Sequence, residues 1–318
     1  MKTKLNLRRT LLSLLALAPL ALSTSAHAQK APDTVRIGYQ KSSTLITVLK
    51  TRATLEQKLG ALGVKVTWHE FASGLPLLEA LNVGAVDVSA DVADTVPIFA
   101  QAAGAQLTFI AQEAPSPTAQ AIVVKADSPI KTVADLRGKR IGFAKAAGAH
   151  YLLIAALEKA GLSLKDVQQA YLAPADGRAA FERNSIDAWV IWDPFLSAVE
   201  RQSKVRVLAD GTDLASYQRY YLASTPFAKA RPDVIKTIVD SLQETGKWVK
   251  QSPQEAAALL APVWGLDAAT VEQANGRRSY AVRSAQPDNI LEQQKIADAF
   301  FAAGLLPKKV DATNVPLF

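Results

Sequence analysis

Two turns of this sequence hold residues suited to gripping a small anion. The first, Gln40-Lys41-Ser42-Ser43-Thr44, follows a β-branched and aromatic stretch and leads into a helical pattern; the second, Lys145-Ala146-Ala147-Gly148-Ala149, occupies the same setting further on. Just inside a helix start, backbone N–H groups lack partners and carry the positive end of the helix dipole, so small residues let an anion approach. Ser42, Ser43 and Thr44 add hydroxyl donors, Gln40 adds a neutral amide, and Lys41 and Lys145 add charge; Ala146, Ala147 and Gly148 offer mainly backbone. Two such starts facing across a cleft would clamp one anion. Ser73 and Gly74 open a third turn of this type. The competing reading, helix caps and close-packed turns without a ligand, stays open at this point.

The turns sit inside a repeat. RIGYQKSS (Arg36 to Ser43) returns as RIGFAKAA (Arg140 to Ala147), and NVGAVDV (Asn82 to Val88) is echoed by RNSIDAW (Arg183 to Trp189). Two similar lobes, each with one strand-turn-helix unit, would account for both pairs.

The elements that must position these turns follow from periodicity. Alternation predicts strands at 34–40, 64–71, 86–89 and 107–111, with helical spacing over 43–59, 75–81 and 95–102 between them. A second series has strands at 121–125, 140–143, 167–171 and 187–191, with helices at 149–160 and 175–182. This rhythm is that of an α/β fold with largely parallel sheets flanked by helices. Ala114 to Thr118, with two prolines, is the expected first crossing between lobes. Strands at 205–208 and 220–223 lead back, and the chain from Pro226 reads as mainly helical, most simply covering the first lobe. The expected division is a leader at 1–28, a first lobe of 29–117 and 225–318, and a second of 118–224, joined by a two-stranded hinge.

Other residues near strand ends divide between binding and structure. Trp192 could stack on an apolar tail or fill the core, and Asp193 could order a cleft or cap a helix. Asp94 and Thr95 open a helix, where capping is the first reading for Asp94. Glu113 could receive a ligand amine or join a hinge salt bridge. His150, in the first turn after Gly148, has both options too.

Composition narrows the function classes. Residues 1–28 have a basic head (Lys2, Lys4, Arg8, Arg9), an apolar run from Leu11 to Leu22 and a small-x-small Ala26-His27-Ala28, the pattern of an export signal cleaved after Ala28. Removing its four basic residues takes the formal charge from +7 to +3, and no basic-aromatic cluster remains to make a nucleic-acid face. There is no cysteine, which rules out disulfides, thiol catalysis, Cys-ligated metals and a lipidated anchor. A free exported chain without a membrane anchor fits the periplasm. G-x-S-x-G, H-E-x-x-H, Walker A and G-x-G-x-x-G motifs are absent, so no catalytic residue, metal or cofactor is expected; an enzyme on the same fold using a carboxylate pair stays open as the alternative.

The stretches RIGYQKSSTL, EALNVGAVDVSA, PIFAQAAGA, SPIKTVADLRGKRIGFAKAAGAH, YLAPADGRAAF, DAWVIWDPF and VRVLADGTDL resemble, in order, the periplasmic substrate-binding proteins of aliphatic sulfonate ABC importers. Taurine- and nitrate-binding proteins are more distant in resemblance. The resemblance implies a two-lobed, flytrap-like periplasmic-binding-protein fold of type II, a sulfonate ligand, a permease partner in the inner membrane, a monomer and no enzymatic activity. Two departures fall at the expected cleft: AAGAH stands where relatives carry a serine-rich GSSSHN-like turn, and SADVADTVPIFA is one residue longer than the usual pattern. Both point to an altered ligand preference, toward bulkier sulfonates.

Overall fold

The structure, a computed structural model, describes residues 33–318; the expected export signal lies outside the described residues. In chain order the strands are β1 (Thr34–Gln40), β2 (Lys65–Phe71), β3 (Val88–Ala93), β4 (Leu107–Glu113), β5 (Gln120–Lys125), β6 (Arg140–Phe143), β7 (Gln168–Tyr171), β8 (Ala188–Trp192), β9 (Val205–Asp210), β10 (Arg219–Ser224) and β11 (Val282–Arg283). They form two mixed sheets, ordered β11-β4-β10-β3-β1-β2 and β7-β6-β8-β5-β9. In the first, β1 runs parallel to β2 and β3, while β10 is antiparallel to β3 and β4. In the second, β6 is parallel to β7 and β8, while β5 is antiparallel to β8 and β9.

The helices are α1 (Thr44–Thr51), α2 (Thr54–Gly60), α3 (Gly74–Asn82), α4 (Thr95–Ala102), α5 (Gly148–Lys159), α6 (Pro174–Glu182), α7 (Phe195–Gln202), α8 (Thr225–Ala230), α9 (Pro232–Gln251), α10 (Pro253–Trp264), α11 (Ala268–Arg277) and α12 (Pro287–Ala302). This is the expected two-lobed α/β architecture.

The repeat has a structural cause. In the first lobe Arg36 donates its backbone N–H to Asp87 Oδ2 at 2.8 Å, and Asp87 N–H returns to the Arg36 carbonyl at 2.8 Å. In the second, Arg140 N–H reaches Asp187 Oδ2 at 2.7 Å and Asp187 N–H returns to the Arg140 carbonyl at 2.8 Å. The same brace thus ties the first strand of each unit to the start of its parallel neighbour.

Three expectations are corrected. Helical spacing over 43–59 is broken at Ala53, which adopts a left-handed φ of 51°. The break re-aims α2 so that Leu55 and Leu59 join the buried cluster beneath α9, while Arg52 stacks 3.5 Å from the Trp248 ring. Second, β10 pairs in the first sheet, so the chain has already returned there by Arg219, before the expected boundary. Third, the C-terminal tail does not stop at the first lobe: α11 packs on α7, and α12 packs on both α4 and α5. A buried apolar cluster accordingly runs from Leu77 and Val96 through Phe143 and Trp189 to Phe300.

The two crossings touch. Ser116 N–H donates to the Ser216 carbonyl at 3.0 Å and Gly211 N–H to the Pro117 carbonyl at 3.0 Å. A Cβ on Gly211 would lie 2.5 Å from the Pro117 oxygen, so glycine is what lets the strands of this hinge approach.

Candidate functional site

The carboxyl ends of β1, β3, β6 and β8 meet between the lobes, the place where ligands bind in parallel sheets. The first turn is built by side chains. Ser43 N–H closes on the Gln40 carbonyl at 2.8 Å, and Ser43 Oγ accepts from Gln40 N–H at 3.2 Å. Gln40 donates Nε2 to the Asp91 carbonyl at 3.1 Å, fixing the turn to the end of β3. Tyr280 gives its one O–H to Asn275 Oδ1 at 2.8 Å, so Thr44 Oγ1 donates to Tyr280 Oη at 2.8 Å. A hydroxyl that accepts still has its own O–H to give, so Ser43 remains a donor, whereas the Thr44 O–H is spent on Tyr280. Ser42 Oγ is buried with no hydrogen-bond partner in the protein.

Behind this turn lies a buried ion quartet that sequence reasoning missed. Arg219 Nε is 2.6 Å from Asp91 Oδ2, and Arg278 donates an Nη to Glu113 Oε2 at 2.5 Å and to Asp91 Oδ2 at 3.2 Å. Tyr221 Oη donates to Glu113 Oε1 at 2.7 Å, and Arg219 Nη1 donates to Tyr217 Oη at 2.7 Å. Two guanidinium groups and two carboxylates cancel, the condition for burying charge. Arg278 Nε has no partner, which leaves one cationic N–H unspent. Glu113 is committed here, as the hinge-ion-pair reading has it. The only sequence signals were an arginine inside the apolar run QRYYLA and a pair, Arg277-Arg278, just past a helix.

The second turn is built by backbone. Ala146 takes a left-handed φ of 61°, and its N–H donates to His150 Nδ1 at 3.2 Å. His150 is fully buried among Phe143, Tyr171 and Phe300, and burial, with a lesser contribution from Lys145, lowers its pKa to about 3. It is therefore neutral, with its side chain serving the turn. Gly148 opens α5 directly under Tyr217, whose ring would lie 2.6 Å from a Cβ at that position.

A continuous buried path joins the turns: Gly148 against Tyr217, Tyr217 to Arg219, Arg219 to Asp91, Asp91 to Gln40, Gln40 to Ser43. A direct link also crosses the lobes, from Thr95 Oγ1 to the Ala146 carbonyl at 2.6 Å. Ala147 is buried at the start of α5.

The remaining candidates divide. Trp192 is buried with its Nε1–H unpartnered, edge-on to Phe195. Asp94 does not cap α4: its Oδ2 accepts from Gln218 N–H at 3.0 Å, and its own N–H returns to the Gln218 carbonyl, a hinge brace whose burial raises its pKa to about 7. Asp193 turns away toward α7, accepting from Ser197 N–H at 2.9 Å and Ser197 Oγ at 2.6 Å. Gly74 is explained by packing, since a Cβ would lie 2.9 Å from Val96, and Ser73 makes no capping bond. Among the described residues no group of three or more His, Asp or Glu could hold a metal, and no helix is long and apolar enough to cross a membrane.

Comparison with known proteins agrees with this architecture. Residues 61–256 match the model of the NMT1/THI5-like family. The crystal structure of the alkanesulfonate-binding protein of Xanthomonas axonopodis pv. citri, bound to MOPS, superposes with a TM-score of 0.83 at 40% identity, covering 88% of this chain and 96% of that one. The periplasmic aliphatic sulphonate binding protein of Escherichia coli does so with a TM-score of 0.81 at 41% identity, covering 90% and 92%. The taurine-binding periplasmic protein of Escherichia coli (strain K12) is 28% identical over 65% of this chain and 63% of its own. The two-sheet topology, the paired turns and these similarities agree: the chain belongs to the NMT1/THI5-like family, among its aliphatic sulfonate-binding proteins.

Proposed function

We propose that this protein binds aliphatic sulfonates in the periplasm and delivers them to an inner-membrane ABC permease for sulfur acquisition. The observation that carries the reading is the first-lobe turn, where Ser42 and Ser43 hold O–H donors and which Gln40 and Asp91 link to Arg278, whose Nε has no protein partner. A sulfonate offers three acceptor oxygens and one delocalised charge, which suits several neutral donors and one cation better than a single ion pair. The second lobe answers with the backbone N–H groups of α5 at Gly148 and Ala149 and with the indole N–H of Trp192.

Binding proceeds by population shift. Contacts from both lobes exist together only in the closed form, so ligand favours closure by the difference in its affinity for the two forms. Thr95 to Ala146 and the Arg277 to Glu200 ion pair, at 2.6 Å between α11 and α7, belong to that closed form. His150, enclosed and neutral, and His69, on an edge strand, give no histidine base at this cleft, which supports release of the ligand unchanged.

A thermal-shift screen across alkanesulfonates, taurine, nitrate and bulky sulfonic buffers tests the reading. Alkanesulfonates at 100 times Kd should stabilise the protein by about 2.7 kcal/mol. No shift with any sulfonate, or a shift with nitrate alone, refutes it.

A further inference from the structure

Gln120 has the least satisfied polar side chain in the cleft. It opens β5 at the first crossing and is 0% exposed, yet neither its Oε1 nor its Nε2 has a hydrogen-bond partner in the protein. It stands directly opposite Trp192 in the β5–β8 ladder. Residues opposed in this way project to the same face of a sheet, so the unpartnered indole N–H and the unpartnered amide share one wall. That wall adjoins the start of α5: Gln120 Oε1 would lie 3.2 Å from a Cβ on Gly148.

Leaving a buried amide unpaired costs about 1–3 kcal/mol for each group deprived of a partner. A sulfonate can relieve only half of this, because its oxygens accept and never donate. Gln120 Nε2, Trp192 Nε1 and the helix N–H groups are served by the headgroup; Gln120 Oε1 is not. The amide is complete only if the ligand brings a hydrogen-bond donor close to its sulfonate.

Resting on the sulfonate-binding reading, we propose that Gln120 determines specificity within this site, selecting sulfonates that carry a neutral hydroxyl or N–H near the headgroup over unsubstituted alkanesulfonates of the same size. Gln120 thus gives lobe 2 an amide that serves the anion through Nε2 and reads its neighbour through Oε1. The same geometry accounts for discrimination, because a site built to pair a hydroxyl rejects the isostere lacking it.

Isothermal titration with 2-hydroxyethanesulfonate and 1-propanesulfonate, which differ by O–H for CH₃, is the test. The wild type should bind the hydroxyl compound at least about tenfold more tightly, and Gln120→Leu, which also loses one headgroup donor, should erase or reverse that ratio by weakening the hydroxyl compound more than 1-propanesulfonate. Equal affinities in the wild type, or a Gln120→Leu protein that weakens both ligands equally, overturns the inference while leaving sulfonate binding intact. Failure of both probes and of longer alkanesulfonates to bind would instead overturn the underlying reading. The wild-type ratio decides the matter even if the variant folds poorly.

Discussion

The two lobes start from the same sequence device and finish it differently. Each begins with Arg-Ile-Gly-aromatic and braces its first strand to an aspartate, whose carboxylate accepts from the arginine backbone N–H and whose own N–H returns to the arginine carbonyl, at Asp87 and at Asp187. Beyond the strand they diverge. The first turn is polar, held by Gln40 and Ser43 and backed by the buried quartet of Asp91, Glu113, Arg219 and Arg278. The second is apolar, held by the bond from Ala146 N–H to a neutral, aromatic-caged His150 and by Thr95 on the Ala146 carbonyl, and covered by Tyr217. In the proposed reading anion recognition is divided unequally: the lobe with charge and hydroxyls supplies strength, and the lobe with backbone and a single amide is left to supply selectivity.

The largest effect that would break the contrast comes from the quartet. Arg278→Met leaves Asp91 and Glu113 with one guanidinium between them, and removal of one partner from a buried ion pair costs about 3–5 kcal/mol. Urea unfolding should show that loss together with loss of alkanesulfonate binding. A variant with wild-type stability and affinity would show that the first turn does not depend on buried charge.

His150→Leu attacks the other side. It orphans the buried Ala146 N–H, at a cost of about 1–3 kcal/mol, and it removes a titration. Burial holds the His150 pKa at about 3, below its ordinary value of 6.5, so its contribution to stability is full above pH 6.5 and is lost as pH falls toward 3. Melting temperatures of the variant should therefore fall less steeply than the wild type's between pH 6.5 and 4.

Between the lobes, Asp94 has the opposite sign. Its pKa is raised, chiefly by burial, to about 7 from an ordinary 3.8, so the protonated form is favoured in the folded protein and stability is lost as pH rises through 7. Asp94→Asn keeps an acceptor for Gln218 and should gain on the order of 1 kcal/mol over the wild type at pH 8, with the difference vanishing at low pH. A difference that does not vary with pH would exclude Asp94 titration as the cause.

The smallest effect would blur the comparison. Ala147 precedes α5 in extended conformation without a side-chain cap, and Ala147→Ser supplies one together with the missing hydroxyl. A gain of about 0.5–1 kcal/mol in stability with a few-fold tighter binding is expected. Weaker binding would indicate that the second turn has no room for a side-chain donor.

Local features of the fold were legible in the sequence, and the repeat most of all, because the Arg-Asp brace recurs within each βαβ unit at nearly fixed spacing. The break at Ala53 was not legible, since nothing in TRAT departs from helical propensity and the cause is the distant Trp248 and α9. Nor was β3 beyond Ser89: Asp91 and Asp94 make it read as a loop, although all six strand residues are buried, because the partners Arg219 and Arg278 come from the return crossing and the tail. At the site, the anion turns could be read from residue type, whereas the roles proposed for Gln120, Arg219 and Arg278 depend on Trp192, Asp91 and Glu113, each more than seventy residues away in sequence. Asp193 and His150 show the converse, polar residues just past strand ends or at a helix start that bond to neighbours four residues away, Ser197 and Ala146.

The claim on which the account turns is that both lobes hold one headgroup. A crystal structure of the protein grown with 1-butanesulfonate tests it most directly. The account predicts sulfonate oxygens within hydrogen-bond distance of the Ser42–Thr44 turn on one side and of the Gly148 end of α5 on the other. A sulfonate bound to one lobe alone, or outside the interlobe region, would contradict it.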